Sequence, residues 1–335
     1  MNLDDLDKID SKKMYRTYDN WPQIAKDSFN DDFEKIDVKG IDHVVFAGMG
    51  GSGSIGDVIS AILSKDDIHV SSVKGYNLPK TVDSNSLVVV TSISGNTKET
   101  LSVLESAKKT NAQIVAFSSG NTMKKICEKN NMFFQEISMI HSPRVSFTKF
   151  LFSILKTLQE VIPIHENDIQ DSISALDKTR KNIYSDNLTD DNISLKLAKW
   201  IKEIPVIYYP WGLQAAAIRF KNSLQENSKI HVITEDVIES CHNGVVAWQT
   251  NSRVQPILIR GYDDYIKTIE RWVILKDFFK NHGIDCFEIK SVEGNILSKI
   301  VNLIYVLDYT SIYHSVLNQI DPSPVDAIDF IKNRL

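Results

Sequence analysis

Val44-Val45-Phe46-Ala47-Gly48-Met49-Gly50-Gly51-Ser52-Gly53-Ser54-Ile55-Gly56-Asp57 passes from a short apolar run to four glycines within six residues. A helical pattern then begins at Ile55, Val58, Ile59 and Ile62. That order reads as strand, tight turn, helix start. Backbone N–H groups and the hydroxyls of Ser52 and Ser54 would then face whatever lies beyond the strand end. A helix N-terminus carries unpaired N–H groups and a partial positive charge, so the expected guest is an anion, most often a phosphate. Two owners of that phosphate are open. Gly48, Gly50 and Gly53 match G-x-G-x-x-G, the dinucleotide fingerprint. That fold asks for an acidic residue at the end of the second strand, where this chain has Val73-Lys74. Lys74 could instead meet a 2′-phosphate. The other owner is a smaller phosphorylated metabolite.

Outward from this stretch the same unit recurs. Leu87 to Thr91 is a β-branched run of the kind buried on both faces of a parallel sheet. It enters Ser92-Ile93-Ser94-Gly95-Asn96-Thr97 and then a helix from about Lys98 to Lys109. Three hydroxyls ahead of a helix make a compact neutral phosphate cradle, where a plain helix cap would need only one. The absence of G-K-[ST] excludes a nucleoside-triphosphate loop. Ile114–Phe117 and the stretch between Phe133 and Ile137 are further strands, and Pro143-Arg144 precedes an apolar helix at 147–158. Repeated strand–loop–helix units imply α/β architecture with a doubly wound parallel sheet.

Residues 1–38 are mostly helical in pattern. Tyr15, Trp21, Ile24, Ala25 and Phe29 space as one helix face, expected to pack on the first domain. Residues 163–195 are polar and read as a helical linker. The strand–helix order then restarts at Ile204–Tyr209, with further strands at Ile230–Ile233, Val254–Ile259 and Cys286–Ile289. Glu239–Val246 reads as a helix start. Apolar helices follow at Ile296–Thr310 and near Tyr313–Leu317, and a closing helix at 325–335. The expected domains are therefore 1–162, with its leading helical segment, and 196–335, joined by the linker 163–195.

The 335 residues are 42% hydrophobic and 24% charged, with a net charge of −5. That balance suits a globular protein and gives no reason to expect a nucleic-acid partner or a membrane surface. The acidic start M-N-L-D-D-L-D-K-I-D has no apolar signal region, and no apolar run approaches a membrane span. Cys127, Cys241 and Cys286 are scattered and form neither a disulfide nor a zinc pattern, so a reducing cytoplasm is the expected setting. Neither a cofactor nor a metal is expected.

In the second half Gln225-Glu226-Asn227 and Glu239-Ser240-Cys241-His242-Asn243-Gly244 are the polar clusters. A Glu and a His brought to one cleft suit proton transfer at carbon and at oxygen. Arg144, aimed by Pro143, suits a developing oxyanion. Neither G-x-S-x-G nor H-E-x-x-H occurs, so hydrolase chemistry lacks support.

At these residues a family resemblance enters. G-M-G-G-S at 48–52 and S-x-S-G-N-T at 92–97 resemble the two sugar-phosphate loops of a sugar isomerase (SIS) domain. P-R at 143–144, N-x-x-x-E-N at 222–227, E-x-x-H-N at 239–243, D-Y-x-S-x-Y at 308–313, D-P-x-P-V at 321–325 and I-K-x-x-L at 331–335 extend the resemblance along nearly the whole chain. Together they resemble the bifunctional phosphoglucose/phosphomannose isomerases. The resemblance implies two flavodoxin-like SIS domains, a homodimer with a shared active site, and interconversion of glucose 6-phosphate and mannose 6-phosphate with fructose 6-phosphate. It implies that Gly51, Ser52, Ser92, Ser94 and Thr97 hold the phosphate. Glu226 would be the base acting through a cis-enediolate, and Arg144 would stabilise that intermediate. His242, from the partner chain, and Lys332 would assist ring opening. The chain departs from the family pattern at Gly53-Ser54, at Ile93 in place of a frequent tyrosine, in the residues after Arg144, and at Ser323 in place of a commoner threonine. Another SIS-type isomerase, for an amino-sugar or pentose phosphate, or a non-catalytic sugar-phosphate sensor, are the competing expectations.

Overall fold

The computed structural model describes residues 1–250 and 252–334. The chain divides into two compact units. One holds residues 20–174 with 295–298; the other holds 1–19, 175–294 and the chain from Lys299 onward.

The first unit is built on five parallel strands: β1 (His43–Ala47), β2 (His69–Val73), β3 (Ser86–Ser92), β4 (Gln113–Ser118) and β5 (Phe133–Glu136). Their order is β2-β1-β3-β4-β5. The two central strands, β1 and β3, are buried along their whole length. Burial on both faces is why they read as continuous apolar runs rather than alternating ones. Connections leave β1 toward one edge and β3 toward the other. Their following loops therefore diverge, and the crevice they open at the carboxyl ends of the strands is where such sheets take ligands. Both phosphate-loop candidates end these two strands. Behind the sheet, helix Trp21–Asn30 lies against helix Phe147–Thr157, with the Trp21 and Phe147 rings 6.1 Å apart.

The second unit repeats the plan with four parallel strands, β6 (Ile204–Tyr209), β7 (Ile233–Asp236), β8 (Val254–Arg260) and β9 (Phe287–Lys290), in the order β7-β6-β8-β9. Tyr208, Trp248 and Phe279 fill one face, and the Trp248 indole N–H donates to the Tyr208 hydroxyl at 2.8 Å. The apolar stretch after Ile296 is one 22-residue helix, Ile296–Leu317. It is apolar all round because it is buried all round.

Several expectations need correction. Tyr15 and Trp21 do not share a helix: one helix spans Met14–Asp19, and a new one starts at Trp21, with Pro22 in its first turn. Proline is favoured at that position because its missing N–H has no partner there to lose. Residues 1–19 group with the second sheet rather than the first. The Tyr305 hydroxyl donates to the Tyr18 carbonyl (2.8 Å) and the Tyr309 hydroxyl to the Asp19 carboxylate (2.6 Å). The two units divide within helix Glu166–Ile183, between Ser174 and Ala175. β7 begins three residues later than the apolar run Ile230–Ile233, because its register is set by Val206 pairing with Ile233. The helix expected from Glu239 begins at Val237, where the Asp236 carboxylate accepts the N–H groups of Ile238 and Glu239. Among the described residues, no helix is long and apolar enough to cross a membrane.

Candidate active site

In the first unit the glycine loop after β1 opens helix Gly51–Ile62. Gly51 must be small: a Cβ there would sit 3.2 Å from the Pro143 carbonyl oxygen and 3.5 Å from the Arg144 Cα. The loop thus backs directly onto the turn that carries Arg144. Ser146 pins that turn, its hydroxyl accepting the Ile140 N–H at 2.8 Å and lying 2.7 Å from the Ile140 carbonyl. Arg144 itself is 9% exposed. Ser52 joins the two loops, its hydroxyl accepting the Ile93 N–H at 3.2 Å. Ser54 is turned away, donating to the Gly50 carbonyl within its own helix.

The hydroxyl loop after β3 is organised from within by Ser92. Its side chain accepts the Gly95 N–H (3.1 Å) and donates to the Thr97 hydroxyl (3.0 Å). At 1% exposed, Ser92 shapes the loop from below, whereas Ser94 and Thr97 are partly open. Gly95, at φ +71°, makes the reversal, and a Cβ there would collide with the Gly120 carbonyl oxygen. The Asn121 amide donates to the Ser94 carbonyl at 2.9 Å and ties the loop to the end of β4. Gly51, Ser52, Ser92, Ser94, Thr97 and Arg144 therefore lie on adjoining loops within one unit. What the two loops offer is helix-start N–H groups and the partly open hydroxyls of Ser94 and Thr97, which suit an oxyanion. Lys74 sits nearby, but its ammonium pairs with the Asp57 carboxylate at 2.5 Å. Burial nonetheless pushes the Asp57 carboxyl above its ordinary range, with Lys74 opposing.

The other three candidates lie in the second unit. Glu226 is half-buried in a π-helical turn, Leu224–Ser228, that extends helix Gln214–Ser223 by an unusually wide step. Such turns recur at functional sites. His242 is exposed on the turn between helix Val237–Ser240 and the 3-10 helix Gly244–Gln249. The Asn243 amide donates to Glu239 at 2.8 Å and closes that turn, which leaves the imidazole facing outward. Lys332 ends the exposed helix Asp326–Lys332. Topology separates Glu226 from His242. β6 and β7 are parallel, so the crossover between them must return to the edge where strands begin, and Glu226 lies at its far end. His242 follows the carboxyl end of β7, at the opposite edge of the sheet.

Two family models match the chain. The SIS domain covers residues 39–159, and the bacterial phospho-glucose isomerase C-terminal SIS domain covers 190–335. A bifunctional phosphoglucose/phosphomannose isomerase of Caldicellulosiruptor bescii is 31% identical over 311 residues, spanning 90% of this chain and 91% of the relative. The chain belongs to the bifunctional phosphoglucose/phosphomannose isomerase family. A member from Thermoplasma acidophilum is 28% identical, spanning 88% of this chain and 89% of its own. In fold, the C-terminal domain of glucosamine-fructose-6-phosphate aminotransferase from Francisella tularensis superposes with a TM-score of 0.65 at 16% identity, over 91% of this chain and 96% of that one.

In this isomerase family member the Glu226 turn is held by buried contacts from helix Ile296–Leu317. Ser311 accepts the Asn227 amide at 2.8 Å, and its carbonyl accepts the Ser228 hydroxyl at 2.9 Å. Asp308 accepts the Ser223 hydroxyl at 2.6 Å and the Arg219 guanidinium at 2.6 and 3.0 Å. Burial pushes the Asp308 carboxyl up, and Arg219 is the strongest opposing influence. These contacts grip the Glu226 turn on both sides. The sequence signals for them were N-x-x-x-E-N at 222–227 and D-Y-x-S-x-Y at 308–313 in the family pattern.

Proposed function

We propose that this protein is an aldose–ketose isomerase that interconverts glucose 6-phosphate and mannose 6-phosphate with fructose 6-phosphate. The observation that carries the reading is the adjoining placement of the two phosphate-type loops and the buried Arg144 turn within one unit of a family member. The loops hold the phosphate with Gly51, Ser52, Ser94 and Thr97, on a frame built by Ser92. Glu226 moves a proton between C2 and C1 through a cis-enediolate. One carboxylate held on one face can reach both carbons. Because the two aldoses differ only at C2, the same base serves both when the C1–C2 unit rotates before reprotonation. Arg144 stabilises the enediolate charge, an interaction made mainly in the transition state. His242 and Lys332 assist ring opening.

The placement of Glu226 and His242 at opposite edges of one sheet supports a site shared between two chains of a homodimer, with the partner supplying the imidazole. The edge that carries His242 also exposes Trp211 (77%) and Tyr265 (72%). The cytoplasm, the setting of other sugar-phosphate chemistry, fits this reading.

Proton NMR in heavy water tests it, with mannose 6-phosphate and glucose 6-phosphate supplied separately to purified protein. Fructose 6-phosphate should form from both, with deuterium entering at C2 of the aldose pool, and Glu226→Gln should abolish the exchange. Turnover of neither sugar refutes the function.

A further inference from the structure

We propose that Lys229 is a positioning residue for the isomerisation, holding the Glu226 turn and the segment leading to Lys332 in one geometry. The proposal rests on the reading of Glu226 as the base. Lys229 terminates the π-helical turn in the left-handed region, at φ +59° and ψ +32°. Glycine is the ordinary residue there, and a lysine pays a conformational penalty. Its side chain accounts for the exception. The ammonium donates to the Glu226 carbonyl at 2.5 Å, to the Pro324 carbonyl at 2.8 Å and to the Pro322 carbonyl at 3.4 Å.

A lysine has three N–H donors, and three backbone carbonyls receive them. The Glu226 carbonyl belongs to the last turn of its helix, where carbonyls lack partners further along the chain and a cation is favoured. The two proline carbonyls precede helix Asp326–Lys332 by a few residues. One ammonium therefore fixes the backbone of the base and the root of the helix that bears Lys332. The other anchors of the Glu226 turn, on Asp308 and Ser311, are buried, whereas Lys229 is exposed. It is therefore the anchor that can be removed without opening the core.

Lys229→Gly and Lys229→Asn both tolerate the left-handed backbone and both delete the ammonium. If Lys229 were only a helix terminator, the glycine variant would be harmless. The positioning role instead predicts an unchanged or raised melting temperature together with a kcat about 10- to 100-fold lower, the scale expected for a displaced catalytic group. KM for the sugar phosphate should stay within about twofold, since phosphate binding is untouched. The primary isotope effect with 2-deuterated substrate should rise as proton transfer becomes limiting, and Lys229→Arg should keep most of the rate. Unchanged kcat in both variants overturns the proposal. So does loss of the folding transition, which would make Lys229 a stability residue. Glu226→Gln run in parallel separates the two levels: an active Glu226→Gln variant refutes the base assignment beneath, whereas an inactive one with normal Lys229 variants refutes only the positioning role.

Discussion

Replacing Asp308 with alanine should cost this protein far more than one surface ion pair, and the structure sets the size. Asp308 is fully buried and Arg219 is 3% exposed. The carboxylate accepts two guanidinium N–H groups, the Ser223 hydroxyl and, at 3.4 Å, the Tyr18 hydroxyl. Charge-assisted hydrogen bonds contribute about 1.5–3 kcal/mol each, but the desolvation of both ions offsets much of that sum. What the alanine leaves behind is a buried guanidinium without its carboxylate, and breaking a buried pair in this way costs about 3–5 kcal/mol. In a unit of this size each kcal/mol moves the melting temperature by roughly 2–4 °C, so a fall on the order of 10 °C is expected. The double variant Asp308→Leu, Arg219→Met removes both charges and should recover most of the loss. Calorimetry of wild type, single and double variants reads this directly. A shift below about 2 °C for Asp308→Ala, or a double variant no more stable than the single, would refute the reasoning.

Two further outcomes follow from other residues. On the proposed shared-site reading, Glu226→Gln and His242→Ala should each be inactive alone, yet mixing them under conditions that exchange subunits should restore roughly a quarter of wild-type activity, since half of the dimers would carry one intact site of two; no recovery in verified mixed dimers would place both groups in one chain. Burial, reinforced by Lys202, pushes the His314 imidazole down from 6.5 to about 4, so it is neutral in the folded protein. The unfolded chain takes up the proton first, so this contribution is fully present above pH 6.5 and is lost as pH falls toward 4, up to about 3 kcal/mol. His314→Gln should flatten the acid limb of a urea-midpoint profile across that window, and an unchanged limb would refute the assignment.

The first unit was legible because its signals are local. β1 and β3 are buried on both faces, so their apolar runs coincide with the strands, and the loops after them announce themselves by glycine and hydroxyl content. Two other points were less legible, each with a physical cause. Apolar spacing carries on through Asn20, so nothing in the periodicity separates Tyr15 from Trp21; only Pro22 hints at a new helix. At 224–228 the chain adopts a π-helical turn closed by a left-handed lysine. Sequence punctuation for such an ending is a glycine, and here a side-chain staple takes its place.

For the candidate site, composition identified the groups but not their division of labour. Ser92 ends β3 and Ser94 sits in the turn just after it, yet one turns inward to build the loop and the other stays partly open. Alternation along a strand would put residues two apart on the same face, so the difference arises because β3 ends at Ser92 and the chain turns at Ile93-Ser94. The same holds more strongly for Glu226. Its neighbours Ser223, Asn227 and Lys229 are tied to Asp308, Ser311 and the Pro322 and Pro324 carbonyls, all more than 80 positions downstream of Glu226. As the proposed base, Glu226 tolerates little displacement, and the contacts that hold its turn come from the buried helix Ile296–Leu317 and the Lys229 staple. No local pattern around Glu226 encodes that support, because its partners lie in a helix and a proline segment far along the chain.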